Sequence, residues 1–196
     1  MGVTFQGESE EVFATVGCHP GSQLVVWDAR ADGIHPVMTT SLGRYRGNDA
    51  PYLCVASQPF TPEVFACGVS TGELLLWDVR AGAVSHELQG LDKRYSRGGT
   101  WGVAFHPRRP RSLFSCSGSG VLTKWSLPAA TKEWGAHQQA AAQGYSQVVQ
   151  GARHLYGLPS QSALVGVCYD EAADCVSAVS KHGHVVVAQG VEGLRL

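Results

Sequence analysis

Few residues in this sequence are of types and spacings that could do chemistry. Gly68-Val69-Ser70-Thr71-Gly72 matches the G-x-S-x-G elbow. That elbow activates serine by exposing it on a strained strand-to-helix turn, with a histidine and an acid brought near by the fold. Here the next residues are ELLLWDVR, which read as a strand. The pentapeptide is therefore expected to be a hairpin turn in which glycine supplies positive φ. His182 and His184 flank Gly183, with Cys175 close in sequence. Structural zinc needs about four converging ligands, and a turn at His-Gly between two strands accounts for the pair. His19-Pro20 and His106-Pro107 also read as turn starts, because the residue before proline is pushed out of the helical region. Glu8, Glu10 and Glu11 crowd a polar stretch where solvated charge is the default. No glycine-rich loop opens a helix, so phosphate has no seat. The expectation is a chain with no catalytic residues, metal site, cofactor or small-molecule substrate.

Composition narrows the class further. The chain has 196 residues, of which 44% are hydrophobic and 16% charged, with 24 glycines and 9 prolines. That suits a globular core with more turns than a helical protein carries. A net charge of −1 and a pI near 6.7 create no global field towards nucleic acid or anionic lipid. Direct nucleic-acid binding is not expected. No run of 18 apolar residues is present, so no membrane-spanning helix is expected. The stretch MGVTFQGESEE lacks the basic and apolar regions of a secretory signal. The six cysteines form no CxxC pair and sit mostly in apolar runs such as VFACGV and LVGVCYD. They read as small buried hydrophobes in a reducing compartment, without a disulfide framework.

The elements that would position any site come from an internal repeat. VFATVGCHPGSQLVVWDAR (12–30), VFACGVSTGELLLWDVR (64–80) and LFSCSGSGVLTKWSL (113–127) align with one another. Each has an apolar strand, a Gly/Ser/Thr turn, and a strand ending at Trp27, Trp77 or Trp125, which stand 50 and 48 residues apart. A weaker fourth copy, CVSAVSKHGHVVVAQG (175–190), has no tryptophan. The runs are short, rich in Val, Leu and aromatics, and bounded by Gly, Ser or Pro, which is the pattern of strands. Further strands precede each pair (VTF, YLCVAS, WGVAF, ALVGVCY) and follow it (VMTTSL at 37–42, AVSHELQ at 83–89, TKEWGA at 131–136). Three or four strands every ~50 residues describe a propeller blade. The fold class is all-β, with blades at about 1–42, 52–89, 100–136 and 163–190 in one partial propeller. The Gln/Ala-rich stretch 137–162 reads as an insertion, with room for a short helix near 137–143.

The WDAR and WDVR tetrapeptides resemble the WD-repeat (WD40) family, whose blades end their third strand in Trp-Asp. That resemblance implies a β-propeller, usually of seven blades around a central channel. The family's Gly-His pair is missing, and Ser22, Thr71-Gly72 and Ser119-Gly120 stand where its turn aspartate would be. Blade packing is accordingly expected to lean on apolar contacts. In the C-terminal half, WGVAFHPRRPRSLFSCSGSGVLTKWSL (101–127), a polar insertion, and a last blade stopping at HVVVAQGVEGLRL resemble the small WD-repeat nucleoporins of the Y-shaped outer-ring complex of the nuclear pore. The similarity spans roughly residues 50–196. It implies a structural scaffold at the nuclear envelope that binds other outer-ring nucleoporins and supports transport of mRNA and protein. Four blades are about half of a seven-blade ring, so a truncated product, an incomplete gene model or a missing N-terminal segment is expected, with blade faces left open.

Two groups of residues then become candidate sites. In Trp27-Asp28-Ala29-Arg30 and Trp77-Asp78-Val79-Arg80, with Trp125 equivalent, tryptophan is expected between blades and the Asp and Arg paired at the strand end. W-D-x-R also resembles the box by which substrate receptors of cullin-type ubiquitin ligases dock on their adaptor. Asp28, Arg30, Asp78 and Arg80 would carry that alternative role. Candidate partner loops are those holding Arg44 and Arg46, Lys93, Arg94 and Arg97, and Arg108, Arg109 and Arg111, because loops on a stiff scaffold are where recognition usually resides.

Overall fold

The structure is a computed structural model that describes residues 2–6, 11–17, 24–30, 36–40, 50–88, 98–127, 147–149, 152–157 and 162–191. Every regular element among them is a strand. The first sheet contains β1 (Gly2–Phe5), β2 (Val12–Val16), β3 (Leu24–Asp28) and β4 (Met38–Thr40), hydrogen-bonded in chain order. β5 (Tyr52–Ser57), β6 (Val64–Val69), β7 (Leu74–Asp78) and β8 (Ala83–Leu88) follow in the second sheet. The third sheet starts with β9 (Thr100–Phe105), β10 (Ser112–Ser117) and β11 (Val121–Ser126). Two strands then return to finish earlier sheets. β12 (Gln147–Val149) lies parallel to β8, and β13 (Ala152–Gly157) lies antiparallel to β11. The fourth sheet is β14 (Leu164–Asp170), β15 (Cys175–Ser180) and β16 (Val185–Gln189).

The two late strands correct the reading of 137–162 as a stretch outside the blades. The outer strand expected at 131–136 lies outside the described residues, as does the helix expected near 137–143. The strand paired with β11 is 152–157 instead, within the expected insertion. An edge strand needs only a few residues and one inward apolar side chain. Leu155 supplies it, packing against the core between the third and fourth sheets. The surrounding Gln, Ala and Gly hide so short a signal.

The sheets stack around an axis rather than face to face. Their first strands touch in succession, β1 on β5, β5 on β9 and β9 on β14. Three apolar seams lie between neighbours. Ala14, Val16, Leu24 and Val26 of the first sheet meet Phe65, Cys67, Leu75 and Trp77 of the second. Ala66, Leu74, Leu76 and Leu88 meet Phe105, Leu113, Trp125 and Leu127. Phe114, Cys116 and Leu122 meet Leu164, Val176, Ala178 and Val186. A sheet covered on both faces needs apolar residues at every position, which is why VFACGV and LLLWD lack polar alternation and are buried throughout.

Each tryptophan-marked repeat has the same register. Phe13 pairs with Trp27, Phe65 with Trp77, and Leu113 with Trp125. A buried indole N–H needs an acceptor, and each repeat supplies one. Trp27 Nε1 donates to Thr15 Oγ1 at 2.9 Å, and Trp125 Nε1 to Ser115 Oγ at 2.8 Å. In the second sheet Cys67 stands at the hydroxyl position, and Trp77 donates to Tyr52 Oη at 2.9 Å. At the seam's inner edge, a Cβ on Gly68 would lie 2.5 Å from Cys54 Sγ and 2.6 Å from the Thr100 carbonyl oxygen. Only glycine lets β6 lie this close to β5 and β9.

Candidate docking rim

Antiparallel order puts the β1–β2, β5–β6, β9–β10 and β14–β15 loops at one end of the stack, together with the turns that follow the Trp-Asp strands. Bonds between these loops tie the rim together. Gln58 Nε2 donates to the Pro110 carbonyl at 3.2 Å, and the Arg108 guanidinium is ion-paired with Glu171. Internal side chains brace the individual loops. Gln58 Oε1 accepts from the Phe60 and Thr61 amides. His106 Nδ1 accepts from the Arg108 and Arg109 amides at 3.0 and 3.1 Å, which fixes the turn begun by His106-Pro107. Arg111 Nε donates to the Leu127 carbonyl at 2.7 Å, closing the loop onto the end of β11.

The two W-D-x-R boxes lie on this rim and close in different ways. Asp28 Oδ1 accepts from the Arg30 amide at 2.9 Å, and the Arg30 guanidinium donates to both Asp28 oxygens at 2.9 and 2.7 Å. Arg30 also pairs with Glu11 at 3.2 Å. In the second box Asp78 Oδ1 accepts from the Arg80 and Ala81 amides, while the Arg80 side chain pairs with Glu63. The aspartates thus cap the turns, as Asx side chains do. The Arg30 hydrogen bonds hold the Asp28 carboxyl down to about 2, and Arg30 is raised in return. With its folded value depressed, Asp28 keeps this clamp above the ordinary carboxylate range and loses it only as pH falls towards 2.

The rim mixes both signs of charge, so it attracts neither polyanions nor polycations as a whole. Its arginines are largely exposed, 61% for Arg30, 68% for Arg80 and 79% for Arg108. Exposed ion pairs are individually weak, about 0–1 kcal/mol. A guanidinium held this way can trade its carboxylate for a partner's acceptor at little cost. Phe60 stands among them on the Gln58-braced loop, 53% exposed. Exposed aromatics and arginines on rigid loops are the residue types that anchor protein interfaces. Sequence reasoning missed Phe60. Its only signal is the pair of prolines, Pro59 and Pro62, that bracket it in a loop between two apolar strands.

The structure separates the other candidates. Arg108, Arg109 and Arg111 lie together on the β9–β10 loop of this rim, whereas Arg44, Arg46, Lys93, Arg94 and Arg97 lie outside the described residues. Trp77 and Trp125 are buried between sheets; Trp27 is half-buried on the first sheet's outward face. At the opposite end, Ser70-Thr71-Gly72 forms the β6–β7 turn, with Gly72 at φ 101° and a strand on either side. His182 and His184 flank Gly183 in the β15–β16 turn, where the amides of both histidines donate to Ser180 Oγ. Among the described residues no three His, Cys, Asp or Glu side chains converge as a metal site would require. Cys54, Cys67, Cys116, Cys168 and Cys175 are free thiols. Burial raises the first three, Cys54 and Cys116 to about 12, so these thiols stay protonated and unreactive. Among the described residues no helix is long and apolar enough to cross a membrane.

Comparison with known proteins agrees with this architecture. No family model matches the sequence. The chain is 37% identical over 103 residues to nucleoporin Nup43 of Mus musculus and, equally, of Homo sapiens. The match takes in 53% of this chain and spans a quarter of the length of those relatives. Among solved structures it superposes on the computationally designed Ika4 protein with a TM-score of 0.62 and 15% identity, covering 96% of this chain and 89% of that one. A chain of the mitotic checkpoint complex gives 0.62 and 13%, covering 94% and 47%. With its tryptophan-marked repeat and radial sheets, the chain has the fold of a partial WD40-type β-propeller and resembles nucleoporin Nup43 in sequence.

Proposed function

We propose that this chain is a non-enzymatic scaffold of the nuclear pore's outer-ring Y complex, located at the nuclear envelope, where it supports transport of mRNA and protein. Its role is static complementarity. The stacked sheets hold the rim rigid, and Phe60, Arg80, Arg108, Arg109 and Arg111 offer aromatic and guanidinium anchors to neighbouring nucleoporins. The observation that carries the reading is the 37% identity to Nup43 over 103 residues. The braced rim supports it by supplying a preorganised surface, and no cofactor or small molecule enters the account.

Affinity capture of the tagged chain from cells tests this reading. Outer-ring nucleoporins are expected to be recovered with it, and Phe60→Asp combined with Arg108→Glu is expected to reduce that recovery at least tenfold, since interface anchors carry roughly 2 kcal/mol or more each. The W-D-x-R boxes, whose Arg30 and Arg80 are exposed on the same rim, support a cullin-type ligase receptor as the alternative. Recovery of a ligase adaptor, abolished by Arg80→Ala, would replace the nucleoporin reading with that one.

A further inference from the structure

Two faces of the stack, one on the first sheet and one on the fourth, have no neighbouring sheet among the described residues. At the first two internal seams the leading face offers small or aliphatic side chains at fixed register positions, whereas the third sheet adds Phe114 to its leading face. In the first sheet these are Ala14 opposite Val26 and Val16 opposite Leu24. The sheet that follows brings bulky side chains, Phe65 and Trp77 or Leu113 and Trp125. On the fourth sheet the leading-face positions are Ser177 opposite Val187 and Val179 opposite Val185. Val179, Val185 and Val187 are exposed there, at 40%, 67% and 52%. On the first sheet the bulky-face positions are Phe13 and Trp27, stacked with centroids 6.3 Å apart, and Phe5 sits edge-on to Phe13. Phe5 and Val3 are 55% and 65% exposed. One end of the stack therefore presents the small half of the seam and the other end the bulky half, and the side chains named on both are uncharged.

We propose that a second copy of this chain docks head-to-tail on these faces, the valine face of each copy receiving the Phe5–Phe13–Trp27 face of the other. The two contacts are equivalent by two-fold symmetry, so the pair closes without free ends. Four sheets from each copy make eight, within the range of known propellers. Each junction repeats the kind of seam found between the first and second sheets and between the second and third. The pairing leaves the rim residues exposed and is independent of which partner they bind.

Light scattering across a dilution series of the 196-residue chain measures this directly. The expected mass is twice the 20.8 kDa of one copy. Val185→Lys with Val187→Lys charges one face, and Val3→Glu with Phe5→Glu charges the other. Both sets are exposed, and circular dichroism checks that each variant keeps its β spectrum. Each variant alone is expected to run as a single copy. Mixing the two restores the pair, because one junction is then unaltered and the other joins lysines to glutamates. A single-copy mass for the unaltered chain overturns the proposal. So does an open ladder of higher masses, or a pair that survives either variant alone.

Discussion

Replacing Trp77 by alanine is expected to lower the unfolding free energy by about 3–5 kcal/mol, the range for deleting a fully buried indole, as read from denaturant midpoints. The side chain is 4% exposed in the seam between the first and second sheets. Its loss opens a cavity in the apolar seam between these sheets, beside its cross-strand partner Phe65, and it removes the indole donor of Tyr52 Oη. Collapse cannot fill the void cheaply, because the walls belong to two sheets fixed by their own ladders. Trp27 occupies the same register position on the outward face of the first sheet. Trp27→Ala removes the same atoms from a half-buried site and is expected to cost clearly less in a single copy. A second copy seated on that face would move the remainder of its cost into association.

Gly68→Ala is the second large effect, about 2–3 kcal/mol, from overpacking rather than loss. The added methyl would meet the Thr100 carbonyl oxygen at 2.6 Å and Thr100 Cγ2 at 2.8 Å, besides Cys54 Sγ at 2.5 Å. A rotamer change could move the sulfur, but the carbonyl belongs to the backbone of β9. Relief therefore requires β6 and β9 to separate, which weakens the contact between the second and third sheets. Gly17 is the internal control. A Cβ there meets nothing within 4 Å, and Gly17→Ala is expected to fall within about 0.5 kcal/mol of neutral, as surface substitutions do. Thermal melts of the two variants side by side separate crowding from a generic glycine effect.

Much of this architecture is legible in the residues because the repeat is marked at both ends of each strand pair. Phe at the start and Trp at the end face each other across the ladder, so Phe13–Trp27 and Phe65–Trp77 fix spacing and register together. The all-β class follows from the shortness of the apolar runs. What stayed hidden was non-local. β13 closes the third sheet from about 25 residues downstream of β11, and no local pattern indicates a partner across so long a gap. The site was legible only as types of residue. That Arg30 would turn back on Asp28 while Arg80 reaches Glu63 depends on where the β1–β2 and β5–β6 loops end. Phe60 carries no motif; its exposure is a consequence of Gln58 bracing the loop beneath it.

The radial stack predicts a gradient of protection that no face-to-face arrangement of the same strands would give. Native-state hydrogen exchange, followed by mass spectrometry on the chain carrying Val185→Lys and Val187→Lys, reads it directly. The second and third sheets are covered on both faces, so the amides of Val64–Val69, Leu74–Asp78, Ser112–Ser117 and Val121–Ser126 are predicted to exchange most slowly. Slowest exchange in Gly2–Phe5 or Val185–Gln189, or equally fast exchange in all four sheets, would contradict it.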